Sequence, residues 1–133
     1  MANHLKLESK MREAAYYIQF RKDSYIVYLV APIKGDPNNL AELSKYLTIA
    51  NYGLVNGNFE LDYNDGEIRY KVFVDCDGVK ELSEAVIEDS IFVPPHMMDR
   101  YGDGIAALAM GFSDADTEIK KAEKSAAESE SQE

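Results

Sequence analysis

Hydrophobic positions change their period along this chain, and each change marks an element. Residues 14–33, AAYYIQFRKDSYIVYLVAPI, are dense in Tyr, Ile and Val, which favour the pleated, half-buried surface of a strand. The polar triplet Arg21-Lys22-Asp23 interrupts them, so two strands joined by a turn are expected. The second, Tyr25 to Ala31, is apolar on both faces, the pattern of a central strand. His4 to Glu8 alternates weakly through Leu5 and Leu7, and reads equally as an edge strand or a frayed terminus.

The period then lengthens to that of a helix. Asp36 is placed as N-cap, and Pro37 suits the first helical position, where its missing N–H costs nothing. Leu40, Leu43, Leu47, Ala50 and Leu54 form one apolar stripe. Gly53 is expected to supply a left-handed exit. Strict alternation follows. Phe59, Leu61 and Tyr63 share one strand face, and Asn58, Glu60 and Asp62 the other. Asn64-Asp65-Gly66 is turn chemistry. The return strand puts Ile68, Tyr70, Val72, Val74 and Cys76 on its apolar face, with Glu67, Arg69, Lys71 and Asp75 opposite. Asp77-Gly78 is read as the turn out of the sheet.

A second helical region runs from about Leu82 to Phe112, with Ser83 as its cap and Val86, Ile87 and Val93 as its first apolar positions. Pro94-Pro95 removes two donors, so a break or kink is expected there. Met97, Tyr101, Ile105, Leu108 and Phe112 continue the stripe. Residues 113–133 hold one large aliphatic, Ile119, and are expected to be disordered or a solvated helix. The expected organisation is a single α+β domain over residues 1–112, followed by an acidic, low-complexity tail over 113–133.

Composition narrows the function classes. The chain has 133 residues, enough for one domain, and a formal net charge of −10. That charge argues against a nucleic-acid or anionic-membrane surface, because both are polyanions. With the single cysteine Cys76, no intrachain disulfide is possible. The N-terminus lacks an apolar core of signal-peptide length, and no run approaches the ~18–20 apolar residues of a membrane span. A cytoplasmic protein is expected.

Candidate chemistry is sparse. An EF-hand loop started at Asp62 or at Asp75 puts glycine and the final acid at the wrong positions, so a turn explains the acidic cluster better than calcium does. His4 and His96 have no partner at zinc-ligand spacing. Cys76 sits on an apolar strand face, where a thiol behaves as a small hydrophobe. Gly102-Asp103-Gly104-Ile105-Ala106-Ala107 matches the looser dinucleotide fingerprint, but it continues a helical stripe instead of following a strand, so close helix packing is expected. Asp62 and Asp75 could face each other across the hairpin, on a solvated face beside Arg69 and Lys71. No catalytic residue, metal ligand or cofactor is assigned.

The order of these elements, together with several motifs, resembles the YbjN-like family, described as bacterial sensory transduction regulators. The motifs are a strand ending in Pro32, the pattern Asn51, Gly57 and Phe59 at a helix exit, the hairpin Asp65-Gly66-Glu67-Ile68, and Asp99-Arg100-Tyr101 in the last helix. The resemblance covers about residues 14–112. It implies an α+β fold like that of type III secretion chaperones, a twisted antiparallel sheet with helices packed on it, and no known enzymatic activity. Chaperones of that fold are small acidic dimers that bind proteins, so a protein partner and a homodimer are expected. Members of that family usually carry an N-terminal helix before the first strand; here about a dozen weakly patterned residues stand there, so something else is expected to cover one sheet face, a dimer partner being one option. The alternative is a small-metabolite sensor, its pocket between the sheet and the C-terminal helix and lined by Tyr17, Tyr28, Tyr70 and Tyr101.

Overall fold

The computed structural model describes residues 2–6 and 13–131, with side chains over 13–128. The strands are β1 (Ala2–Lys6), β2 (Glu13–Phe20), β3 (Ser24–Val30), β4 (Asn58–Leu61) and β5 (Ile68–Asp75). The helices are α1 (Leu40–Tyr52), α2 (Glu84–Ala109) and α3 (Ala115–Ser131). The fold is α+β, as the alternating and helical periods predict. The strands form one antiparallel sheet in the order β1-β2-β3-β5-β4. β3, apolar on both faces, is the central strand.

Register sorts the side chains by face. Val27 lies opposite Val72, Leu29 opposite Tyr70, and Phe59 opposite Tyr70. These residues point into the core, where they meet Leu43, Tyr46 and Leu47 of α1 and Met98, Tyr101 and Ile105 of α2. The Phe59 ring packs edge-on to Tyr70 and Tyr101, with centroids 4.9 and 5.6 Å away. The helices occupy this side. α1 packs beside β4, α2 crosses β3 and β5, and α3 lies against α1 and α2.

Asp36 caps a short 3₁₀ turn at Pro37–Asn39, accepting from the Asn38 N–H, before α1 proper begins at Leu40. Gly53 departs from expectation. It leaves α1 at φ −95°, with its N–H on the Ala50 carbonyl, so the exit is right-handed. The left-handed position is Gly57, at φ +85°, where any Cβ would strike the Tyr70 ring and the Lys71 carbonyl. Ser83 caps α2 as expected, accepting from the Val86 N–H.

The proline pair does not break α2, which runs unbroken from Glu84 to Ala109. Pro95 has no N–H for the Ile91 carbonyl four residues earlier. The Tyr16 hydroxyl of β2 donates to that carbonyl instead, at 2.6 Å. Beside it, Tyr25 of β3 bonds the Ser90 hydroxyl at 2.7 Å. The sheet therefore supplies a donor to the Ile91 carbonyl, which the helix has left without one, and a second hydroxyl contact one residue before it.

Burial along α2 also departs from the expected stripe. Val86 and Ile87 are exposed, as is Phe112 beyond the end of α2, and Met98 is fully buried. Residues 115–131 form a helix that is not wholly solvated. Ala115, Ile119 and Ala122 are buried, and Glu42 of α1 accepts the Ala115 N–H at 3.1 Å. Alanines at helical spacing let the backbone approach α1 and α2 with a single large aliphatic, so counting large aliphatics underestimated the packing.

Candidate functional site

The sheet has two unlike faces. One is sealed by the helices. Among the described residues no helix covers the other. It carries Tyr17 and Gln19 from β2, Ile26, Tyr28 and Val30 from β3, Arg69, Lys71 and Phe73 from β5, and Asn58 and Glu60 from β4. Tyr17 is 46% exposed and Phe73 56%. Ile26, between Gln19 of β2 and Phe73 of β5 in the register, is nonetheless buried. The charged side chains on this face are tied together. Arg69 Nε lies 2.8 Å from Glu60 Oε1, Lys71 Nζ lies 3.9 Å from Glu60 Oε2, and the Arg69 guanidinium stacks 4.2 Å over the Tyr28 ring. Pairing leaves the apolar and aromatic surface as the main unspent feature of the face.

The four tyrosines of the sensor reading do not converge. Tyr70 and Tyr101 are buried in the sheet–helix core, and Phe59 packs against both. Tyr17 and Tyr28 lie on the opposite, open face, where with Val30, Glu67 and Arg69 they line a shallow hollow of about 250 Å³. The intended pocket is filled because Tyr46 occupies it. The Tyr46 hydroxyl donates to the Tyr101 carbonyl at 2.9 Å, and its ring lies 6.0 Å from that of Tyr101. Burial raises the hydroxyls of Tyr46 and Tyr70, the latter to about 12, so both are neutral core hydrogen-bond donors.

The remaining candidates scatter. Asp62 sits at the hairpin turn beside Glu67, while Asp75 pairs with Ser24 at the far end of β5. Antiparallel register puts them at opposite ends of the strand, which overturns the facing pair. Asp65 is held below the usual carboxylate range, chiefly by the Glu67 N–H and then by Lys34. His96 is exposed, and the His4 side chain lies outside the described residues. Cys76 is half-buried. No cluster of three or more His, Cys, Asp or Glu side chains suited to a metal ion occurs among the described residues. Gly102 and Gly104 lie inside α2, and a Cβ on Gly104 would collide with the Tyr46 hydroxyl, so the glycine repeat serves helix packing.

The residues that carry the family resemblance have structural work. The Asn51 carboxamide donates to the Phe59 carbonyl at 2.9 Å and accepts the Phe59 N–H at 2.8 Å. It thus satisfies the outward backbone groups of β4 as a neighbouring strand would. Gly57 allows the chain to pass the Tyr70 ring, and the Tyr70 hydroxyl bonds the Asn56 carbonyl. Tyr101 joins Phe59 and Tyr46. Phe73 and Arg69 were absent from the sequence-level candidates. The signal for Phe73 was an aromatic residue in phase with the charged positions of β5.

No protein-family model matches the chain, and no curated protein matches its sequence. No helix among the described residues is long and apolar enough to cross a membrane.

Proposed function

We propose that this chain is a non-enzymatic, regulatory or chaperone-like protein-binding module of the YbjN-like family, acting in the bacterial cytoplasm and pairing as a homodimer. The observation that carries this reading is the sheet face that no helix among the described residues covers, where Tyr17 and Phe73 stand exposed around Tyr28 and Ile26. Apolar surface of this kind on a small domain is characteristic of partner contacts. Aromatic residues with one intramolecular Arg–Glu pair among them suit an interface centre, since tyrosine and arginine dominate such centres. The family assignment draws support from Asn51, Gly57, Phe59 and Tyr101, which act together at one joint between α1, the hairpin and α2. That joint gives the motif a physical reason to occur as a set.

The test is affinity capture from a lysate of the protein's own source with the tagged chain and with a Tyr17→Glu/Phe73→Glu variant. A stoichiometric protein retained by the first and lost from the second is the expected result. Retention that ignores the two substitutions would remove the open face from the proposal.

A further inference from the structure

The sheet is incomplete along one edge. β4 pairs only with Ile68–Lys71 of β5, whereas β3 pairs with Arg69–Asp75. Val72–Asp75 therefore have a neighbour on one side alone. Their backbone directions follow from the ladder. Cys76 N–H reaches the Asp23 carbonyl and the Ile68 carbonyl accepts from Ala31, so the even-numbered residues of β5 bond towards β3. Asp62 N–H reaches the Glu67 carbonyl on the other side, so odd-numbered residues point towards β4. Beyond the start of β4, the N–H and C=O of Phe73 and Asp75 point into space that no strand fills. Among the described residues no hydrogen bond takes up these groups.

This space is a notch with defined walls. The ladder stops at Asn58, and Gly57 before it has φ +85°, outside the extended conformation of a paired strand residue. Asn56, Val72, Phe73, Val74, Asp75, and Val86, Asp89 and Ser90 of α2 enclose a hollow of about 290 Å³. The exposed Val86 side chain gives it an apolar wall. The edge next door is treated differently, since Asn51 occupies the outward N–H and C=O of Phe59. Unpaired strand edges are templates for another strand, and proteins ordinarily block them. Here the β4 edge is blocked and its extension along β5 is left open.

We infer that the notch beside Phe73–Asp75 accepts an extended, cationic protein segment as an added β-strand. The inference rests on the reading of the chain as a protein-binding module and names the chemistry of one partner. Strand addition takes its affinity from main-chain hydrogen bonds and its selectivity from alternate side chains. Phe73 and Asp75 offer two donors and two acceptors, enough for a paired stretch of roughly three residues, on the order of 10 Å. The charge of the occupant follows from the rim. Asp75 and Asp89 line the hollow and Asp77 follows at its end, all exposed. Lys71, two residues back on β5, is turned to Glu60. On a chain of net charge −10 the rim favours lysine or arginine beside an apolar residue that meets Val86.

The probes are synthetic seven-residue peptides that alternate valine with lysine, and a matched series with glutamate in place of lysine. Binding is read by fluorescence anisotropy, and its site by amide hydrogen exchange on the full chain. The lysine series is expected to bind about tenfold or more tighter than the glutamate series and to slow exchange at Phe73 and Asp75. N-methylation of every second peptide residue should abolish binding in one phase and spare it in the other, because only one edge of the added strand faces β5. Asp89→Lys should remove the preference for lysine while leaving Phe73 and Asp75 protected by whichever peptide binds. Equal binding of both series, insensitivity to both N-methylation phases, protection confined to other amides, or no binding at all would each overturn the inference. Sedimentation of the same preparations keeps the two ideas apart. A chain that self-associates but binds no peptide loses the notch and keeps the open face.

Discussion

The two faces of one sheet use similar residues to opposite ends. On the helix side, Phe59, Tyr70 and Tyr101 lock edge-to-face, and the Tyr46 and Tyr70 hydroxyls both donate to backbone carbonyls inside the molecule. On the other side, Tyr17, Tyr28 and Phe73 share the sheet face that no helix among the described residues covers. An aromatic residue is therefore not a sign of core or of site by itself. What distinguishes the two is whether a second layer reaches it. The difference also runs along β5, where even positions hold the fold and odd positions face outward.

The sharpest way to break this comparison is to cut the same residue type on each face. Phe59→Ala should cost about 3–5 kcal/mol, because it leaves a cavity between Tyr70 and Tyr101. Phe73→Ala should stay within about 1 kcal/mol in the monomer, as a substitution on an exposed face. Urea unfolding of the two variants checks both, and equal losses would mean that the open face is part of the core.

A smaller effect is expected at the blocked edge. Asn51→Ala strips the Phe59 N–H of its side-chain acceptor, leaves the Phe59 C=O only the 3.2 Å bond from the Asn58 carboxamide, and should cost about 1–3 kcal/mol. Asn51→Asp retains the acceptor and loses the donor, so its stability should fall between the wild type and the alanine variant. Smaller again is Tyr16→Phe, which leaves the Ile91 carbonyl without its donor, at about 0.5–1.5 kcal/mol. In a Pro95→Ala background the helix recovers its own N–H at that carbonyl, so the cost of Tyr16→Phe should shrink. A double-mutant cycle measures that coupling.

The smallest effect at neutral pH is one that appears only in alkali. Burial raises the Tyr16 and Tyr70 hydroxyls to about 12 and raises Tyr46 as well. A group whose folded pKa lies above its unfolded value contributes stability that is complete below the unfolded value, near 10 for tyrosine. That contribution is lost as pH rises through the folded value. Unfolding free energy should therefore fall between about pH 10 and 12, and Tyr16→Phe should flatten part of the fall.

Much of this architecture was legible from period alone. The alternation in β5, the stripe in α1 and the doubly apolar β3 each state their burial, since side-chain direction follows from backbone type. The segments that misled did so for identifiable reasons. Pro94-Pro95 reads as a break or kink, and sequence does not show why the helix stays unbroken, because the compensating hydroxyl of Tyr16 comes from a strand 75 residues away. The segment after Phe112 reads as unpacked because alanines bury little area yet permit close approach. The tyrosine pocket failed because strand parity, which separates Tyr17 and Tyr28 from Tyr70, was not combined with the strand order. The notch was invisible, because it depends on where β4 stops against β5.

The claim that carries the rest is that the open sheet face is a contact surface between copies of the chain. Sedimentation velocity over a range of concentrations, for the wild type and for Tyr17→Glu/Phe73→Glu, tests it most directly. A wild-type dimer that becomes a folded monomer with the two substitutions is the expected result. A wild type that stays monomeric throughout, or a dimer unmoved by the substitutions, would contradict it.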